Sequence, residues 1–286
     1  MNSMITATGK TLNGLSLIAP PVAGTIAFRL FCTTRARGKI RPAERATHDQ
    51  AITDTVTVGG NRVVTYQWGR GEKPVLMIHG LQSRGSRFAF LAEKLLSHGY
   101  TPVTFDAPGH GDSEGKGTTV LEYLAIARHL QDKHGPFHAI VANSLGAAGM
   151  FHAVRSGVSA QRLVSVSGLA EFSFLVDEFS RQLTLRPQLT AQLRSRLEKL
   201  LAPTVDVWTE FSAPYRSKSI TQPLLVIHDT EDEVIPYRHA QIIAEAYPDT
   251  ATQVTTNGLG HRRVLNNEDV VDTVTRFVTQ QPATIS

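Results

Sequence analysis

The sequence has few of the features that mark secreted, membrane-spanning or cofactor-binding chains. It holds one cysteine, Cys32, which excludes an intramolecular disulfide and fits a reducing compartment, so we expect a cytoplasmic protein. No G-x-G-x-x-G follows a strand to open a helix, and no His, Cys and carboxylate residues cluster at metal-ligand spacing. The sequence therefore predicts neither a metal ion nor another cofactor. We find no internal repeat and no low-complexity tract.

Charge is also sparse. Only 19% of the 286 residues are charged and 41% are hydrophobic, which is enough to bury a sizeable core in one large α/β domain or two small ones. The net charge of +4 is mildly basic, and much of the excess lies between Arg29 and Arg45. A basic stripe with interleaved aromatic residues is missing, so we expect no nucleic-acid partner.

The N-terminal stretch Leu12–Phe28 is apolar, but it is short of the ~20 apolar residues that a spanning helix needs. The pair Pro20-Pro21 should interrupt a continuous helix, and the basic residues follow the stretch, which is wrong for a secretory signal. Three interpretations remain open. We favour packing on the domain or on a partner chain in a homo-oligomer, over peripheral membrane contact through the apolar stretch and its arginines, and over an uncleaved anchor.

From residue 51 onward, short apolar strands alternate with amphipathic helices. After a hairpin over about 54–68, continuous apolar runs typical of strands buried on both faces are separated by helical patterns. The predicted strands are 74–78, 101–106, 137–141, 163–166, 223–227 and 252–255, with a last helix from about Val264 to Val278. This alternation predicts an α/β fold with a mostly parallel central sheet and helices on both faces.

The alternation breaks once, between about residues 170 and 219, where the pattern is helical and no strand is evident. An insertion after a strand at the carboxyl end of the sheet should cover the site there as a lid. We therefore predict an N-terminal extension (1–50) and one domain (51–286) that carries a helical lid at about 170–219. Aromatic residues of the insertion are candidates to line a pocket or to pack the lid: Phe172, Phe174, Trp208, Phe211 and Tyr215.

A strand, a sharp turn and a helix meet at Ala142-Asn143-Ser144-Leu145-Gly146. This layout is typical of a nucleophile elbow, in which small neighbours let a strained serine stand at the tip of the turn. Ala142 replaces the usual first glycine. A literal G-x-S-x-G also occurs around Ser113, but it lies in a loop without strand or helix, so Ser144 is the predicted nucleophile.

A serine hydroxyl needs a base and a group that orients the base. In this topology the acid follows a late strand and the histidine comes last. Asp229 and Asp232 both follow the strand 223–227, and His261 lies in a glycine-flanked loop before the last helix. The residues alone leave both aspartates open as the acid.

The chain resembles the α/β-hydrolase superfamily from about residue 55 to 280. The matching stretches are His79-Gly80, Phe105–Ser113, the elbow, Asp232 with Val234-Ile235-Pro236, and Gly260-His261. The resemblance implies a triad of Ser144, Asp232 and His261. It also implies an oxyanion hole formed by the backbone N–H of Leu145 and by that of Leu81 or Gln82.

Other residues have weaker claims to a role in catalysis. Some relatives keep the acid after the preceding strand, here at Glu171. We interpret the remaining polar residues near the motifs as structural: His79 and His110 as loop-shaping, His228 as locally hydrogen-bonded, Asp106 and Asp112 as braces of their loop, and Arg262-Arg263 as a solvated or salt-bridged pair.

A serine nucleophile with a histidine base suits acyl transfer to water. Because the insertion is apolar and aromatic, we favour a carboxylic ester with a small or medium acyl group over a thioester or amide. Relatives that open epoxides or cleave carbon–halogen bonds use aspartate at the elbow, where this chain has Ser144. Two alternatives remain: a carbon–carbon bond hydrolase or lyase on the same triad, and a non-catalytic receptor that holds a ligand under the lid.

Overall fold

One sheet of eight strands runs through the chain in a computed structural model that describes residues 3–202 and 204–280. Its strands are β1 (Ile52–Val58), β2 (Asn61–Gln67), β3 (Pro74–Ile78), β4 (Thr101–Asp106), β5 (Ala139–Asn143), β6 (Leu163–Val166), β7 (Leu224–Asp229) and β8 (Ala251–Thr256). The order across the sheet is β1-β2-β4-β3-β5-β6-β7-β8. Only β2 runs antiparallel to its neighbours, β1 and β4, so the sheet is mostly parallel, as predicted.

The apolar runs became central strands because helices cover both of their faces. Every residue of β3, β4, β5 and β7 is buried. The β1–β2 hairpin turns at Gly59 and Gly60, whose φ angles of 56° and 77° suit a tight turn that other residues adopt with strain.

The helices are α1 (Ser3–Ile18), α2 (Pro20–Cys32), α3 (Pro42–His48), α4 (Ala89–Ser97), α5 (Val120–His134), α6 (Leu145–Arg155), α7 (Phe174–Gln182), α8 (Pro187–Leu201), α9 (Val207–Glu210), α10 (Arg238–Ala246), α11 (Gly260–Arg263) and α12 (Glu268–Thr279). Side chains of α5, α6 and α10 share one core on one face of the sheet. Side chains of α4 and α12 form the second core on the other face. The predicted fold class is confirmed.

The predicted last helix, 264–278, is wrong in detail. The structure divides it into α11, a 3₁₀ turn over Val264–Asn266, and α12. The division falls at Asn267, whose side-chain oxygen accepts from the N–H of Val270 at 3.2 Å and so caps α12. As a result His261 lies in the short helix α11 and not in the loop that we expected.

The segment over about 170–219 contains α7, α8 and α9 and no strand among its described residues. Its helices pack through Val176, Leu193 and Leu197. The place of these helices after β6 agrees with the predicted insertion, while their role as a lid stays a prediction.

The N-terminal helices pack on this segment. Leu12, Ala23 and Ala27 are buried with Leu183 and Leu189. The helix is interrupted at Ala19, between α1 and α2, next to the proline pair that was expected to interrupt it. No helix among the described residues is long and apolar enough to cross a membrane.

Candidate active site

Ser144 stands at the turn between β5 and α6, next to the point where the strand order reverses around β3 and β5. Its φ of 58° and ψ of −124° are strained for a non-glycine residue, as the elbow requires. A Cβ on Gly146 would lie 2.4 Å from the Ile78 carbonyl oxygen, so this position needs glycine. Ala142 lies inside β5 and its methyl group joins the core, which explains why alanine is accepted there.

His261 connects Ser144 to Asp232. Its Nε2 lies 3.2 Å from Ser144 Oγ, and its Nδ1 lies 2.7 Å from Asp232 Oδ2. A carboxylate beside Nδ1 holds the proton on that nitrogen and leaves Nε2 as the acceptor for the serine proton. The arrangement is therefore competent for general-base activation of Ser144.

The Asp232 carboxylate is held from several sides. Oδ1 accepts from the N–H groups of Val234 and Ile235, each at 2.9 Å. His228 Nε2 lies 3.4 Å from Oδ2 and donates to the Ile235 carbonyl at 2.8 Å. Burial alone would raise the pKa of Asp232, but the contacts with His228 and His261 outweigh it and hold the pKa well below its usual range. Asp232 thus carries a negative charge beside His261 at neutral pH.

The competing acid, Asp229, forms hydrogen bonds with groups other than His261. Its two oxygens accept from the N–H groups of Glu231, Leu259 and Gly260 and from the Thr256 hydroxyl, at 2.7–3.0 Å. Burial would raise its pKa, and these hydrogen bonds lower it. Asp229 therefore fixes the loop that leads into α11, and Asp232 is the aspartate that meets His261.

The backbone donors near Ser144 differ in availability. Among the described residues, the N–H groups of Leu145 and Leu81 have no hydrogen-bond acceptor, whereas that of Gln82 donates to His110 Nε2 at 3.1 Å. Gly80 lies against the nucleophile, since a Cβ there would be 2.6 Å from Ser144 Cβ. The structure thus distinguishes two residues that the sequence left as alternatives: Leu81 has an available donor, and the donor of Gln82 is engaged.

His79 and His110 shape their loops, as we expected. His79 Nε2 accepts from the Ala107 N–H at 3.0 Å, and His110 Nδ1 donates to the Pro108 carbonyl at 3.0 Å. Burial, and then the neighbouring His110, lower the pKa of His79 to about 3. A histidine held neutral in this way supports a loop and does not carry protons at neutral pH.

Asp106 and Asp112 brace the same loop, and sequence reasoning missed their partner, Arg84. Its guanidinium is almost fully buried and lies 3.1 Å from Asp106 and 2.5 Å from Asp112. The carboxylate of Asp106 also accepts from the N–H groups of Gly85 and Asp112, at 2.8 Å each. Nothing in the local pattern around Arg84 marks it as buried, because its partners are more than 20 residues away.

Two remaining candidates, Ser113 and Glu171, contact residues outside the triad. Ser113 is buried, where its hydroxyl accepts from the Val64 N–H at 2.8 Å and donates to the Asp106 carbonyl. Glu171 pairs with Arg238 at 3.2 Å. The structure therefore gives both residues structural contacts.

Arg263 donates to the carbonyls of Leu259 and Gly258, and Arg262 and Arg263 are both exposed. Trp208 donates to Glu198 of α8 at 2.7 Å, and the Arg194 guanidinium lies over its ring. No group of His, Cys, Asp and Glu suited to a metal ion occurs in the described part of the chain.

Comparison with known proteins agrees with the fold. A family model described as "Alpha/beta hydrolase family" matches residues 75–273, more than half of the chain. Among solved structures, a Pyrococcus furiosus esterase aligns with a TM-score of 0.63 at 18% identity, over 86% of this chain and 97% of its own. A putative lipase from Acinetobacter baumannii aligns with a TM-score of 0.62 at 19% identity, over 82% of this chain and 93% of its own. A monoacylglycerol lipase from Paleococcus ferrophilus aligns with a TM-score of 0.59 at 19% identity, over 76% of this chain and 98% of its own. At these identities the three likenesses show the fold.

Proposed function

Because the chain belongs to the alpha/beta hydrolase family, we propose that it is a serine hydrolase that cleaves a carboxylic ester through an acyl-enzyme on Ser144. The observation that carries the proposal is the hydrogen-bonded series Ser144–His261–Asp232, with distances of 3.2 and 2.7 Å. A serine next to a histidine whose other nitrogen meets a buried carboxylate is the arrangement that activates a hydroxyl for attack.

In the proposed first half-reaction, His261 Nε2 takes the Ser144 proton while Oγ attacks the ester carbonyl. The N–H groups of Leu145 and Leu81 stabilise the oxyanion, and the N-terminus of α6 adds its positive dipole. His261 then returns the proton to the leaving alcohol as the C–O bond breaks. In the second half-reaction, His261 activates a water that attacks the acyl-enzyme, and the acid leaves with Ser144 regenerated.

An ester is the substrate class that we favour. The segment 170–219 contributes apolar and aromatic side chains, and Phe172 and Phe211 are buried in it. The similar solved structures include proteins described as an esterase and as lipases, which supports an ester over an amide or thioester.

A panel of p-nitrophenyl esters of increasing acyl length tests the proposal. The wild-type protein should release nitrophenol, and Ser144→Ala should reduce the rate to the background, whereas Ser97→Ala, at an exposed site on α4, should not. No turnover of any ester, thioester or amide, together with a ligand-induced rise in Tm that Ser144→Ala leaves unchanged, would identify a binding protein instead.

We further propose that residues 170–219 set the acyl-chain preference. Trp208 is the first residue to change, because it joins α8 to Phe172, whose ring lies 6.1 Å away. Trp208→Ala should alter the ratio of kcat/KM values for short and long esters by about 1–3 kcal/mol, the range that hydrophobic pockets give for modest changes in fit. Trp208→Phe is the matched control, and a uniform loss of rate for all esters would reflect stability and contradict the assignment.

A further inference from the structure

The turn between α1 and α2 exposes an unusual amount of apolar surface. Of the twelve exposed large apolar side chains among the described residues, five lie on these two helices. Leu17 and Ile18 at the end of α1 are 66% and 86% exposed, and Val22 and Ile26 of α2 are 51% and 38% exposed. We call these four residues the hairpin tip.

The hairpin that carries the tip is packed against the rest of the protein. The opposite face of the hairpin is buried through Leu12, Ala23 and Ala27. Arg196 of α8 donates to the Pro21 carbonyl at 3.3 Å, which fixes the start of α2 against α8. One turn further along α8, Leu200 is 52% exposed. An exposed apolar edge on helices that are packed through their other side chains indicates an interaction surface.

The N-terminal segment that carries the hairpin tip has charge of one sign in the sequence. The first 43 residues carry six of the 29 basic residues and none of the 25 acidic ones. The rest of the chain therefore has 23 basic and 25 acidic residues, so the whole positive excess belongs to the N-terminal segment. Lys10, Arg29 and Arg35 are exposed, and none of them pairs with a carboxylate in the part of the chain that the structure describes.

We propose that the hairpin tip inserts into the surface of an anionic lipid membrane, with the flanking basic side chains on the head groups. Exposed apolar side chains on the same helices as exposed cations, here Lys10 and Arg29, are the combination that holds a helix at an interface. A second copy of the chain is a poorer occupant, because symmetric contact through this surface would bring like charges together. The proposal concerns the membrane surface alone, since neither helix is long and apolar enough to cross a membrane.

The attachment would bring the segment 170–219 to the lipid surface, because α2 rests on α8. The inference does not depend on catalysis by Ser144. It refines the expectation for Leu12–Phe28: one face of this stretch packs on the domain, and only the other face is available to a membrane.

Flotation of the full-length protein with vesicles tests the proposal. One vesicle type contains phosphatidylcholine and phosphatidylserine, and the other contains phosphatidylcholine alone. The double variant Leu17→Ser/Ile18→Ser should weaken binding to anionic vesicles by more than about tenfold, since burial of each apolar side chain is lost. Its control is Ile52→Ser, which replaces another exposed apolar side chain, 43% exposed, on β1.

The charge contribution has its own pair of variants. Lys10→Gln/Arg29→Gln should weaken anionic binding by roughly fivefold for each cation removed and should leave the melting temperature unchanged. Arg276→Gln, at an exposed site on α12, should have little effect.

Two outcomes would overturn the proposal. One is that the wild type does not bind anionic vesicles, or that the wild type and the Leu17→Ser/Ile18→Ser variant bind them equally well. The other is a wild-type dimer in sedimentation that this double variant dissociates, with no vesicle binding, which would assign the hairpin tip to self-association.

Discussion

Replacing Asp232 by asparagine changes one atom beside His261 and leaves the shape of the side chain. In the structure Oδ1 accepts from two backbone N–H groups, those of Val234 and Ile235, while Oδ2 faces His261 Nδ1. An asparagine keeps its oxygen on the two N–H donors, so its NH₂ group takes the position of Oδ2. His261 must then accept at Nδ1 and carry its proton on Nε2, which points that proton at Ser144.

This wrong tautomer cannot accept the serine proton. In serine hydrolases with this arrangement the same change lowers kcat by about 10⁴-fold, which corresponds to about 5.4 kcal/mol of transition-state stabilisation. The NH₂ group would also face the donor His228 Nε2, 3.4 Å from Oδ2. We therefore expect a loss of about this size for Asp232→Asn.

Asp229→Asn is the matched control, because both aspartates are buried and accept several hydrogen bonds. Here the amide would face backbone donors such as the Leu259 N–H, which costs about 1–3 kcal/mol of stability without changing the tautomer of His261. The assay is kcat/KM for p-nitrophenyl acetate, with urea unfolding of each variant. A larger loss for Asp229→Asn, or a loss below tenfold for Asp232→Asn, would refute the assignment of the acid.

Two further predictions concern a glycine and a buried histidine. Gly80→Ala should lower kcat by about 10²-fold, because the new Cβ would lie 2.6 Å from Ser144 Cβ and displace the nucleophile. The control Gly14→Ala should retain the wild-type rate, because a Cβ at that position has no neighbouring atom within 4 Å. Burial, and then Arg238, lower the pKa of His239 to about 4, so the unfolded chain binds this proton first as the pH falls from 6.5. His239→Gln should therefore flatten the decline in unfolding free energy between pH 6.5 and 4, by up to about 1.4 kcal/mol per pH unit, in urea titrations of wild type and variant at each pH.

The sequence was most informative where local pattern and tertiary environment agree. The strands β3, β4, β5 and β7 are buried on both faces, so their short, mostly apolar runs were enough to predict them, although β5 spans Ala139–Asn143 and not the predicted 137–141. The elbow was predictable because its strand, its sharp turn and its helix are contiguous in the sequence, although the contact that requires glycine at 146 is with the distant Ile78 carbonyl.

The sequence was less informative where long-range contacts decide. Asp229 and Asp232 lie close together at the end of β7, and two long-range contacts separate them: Asp232 meets His261, whereas Asp229 accepts from residues 256–260. Likewise Leu81 and Gln82 are neighbours, and the difference between their N–H groups comes from His110, 28 residues away.

The N-terminal helices show a third kind of limit. An apolar stretch with a proline pair predicted a broken helix, and α1 and α2 are separated at Ala19. The sequence did not show which face would be buried, because that depends on Leu183 and Leu189, more than 150 residues away. The division of the last helix at Asn267 has a local cause, since asparagine is a favoured N-cap residue and its side chain caps α12.

Labelling with a fluorophosphonate tests the central claim most directly. Ser144 should be the residue that carries the adduct in peptide mass spectrometry, since its Oγ lies 3.2 Å from His261 Nε2. Labelling should fall to background in His261→Ala and run parallel to the loss of ester hydrolysis. An adduct at Ser113, or an active enzyme in which no serine is labelled, would contradict the account.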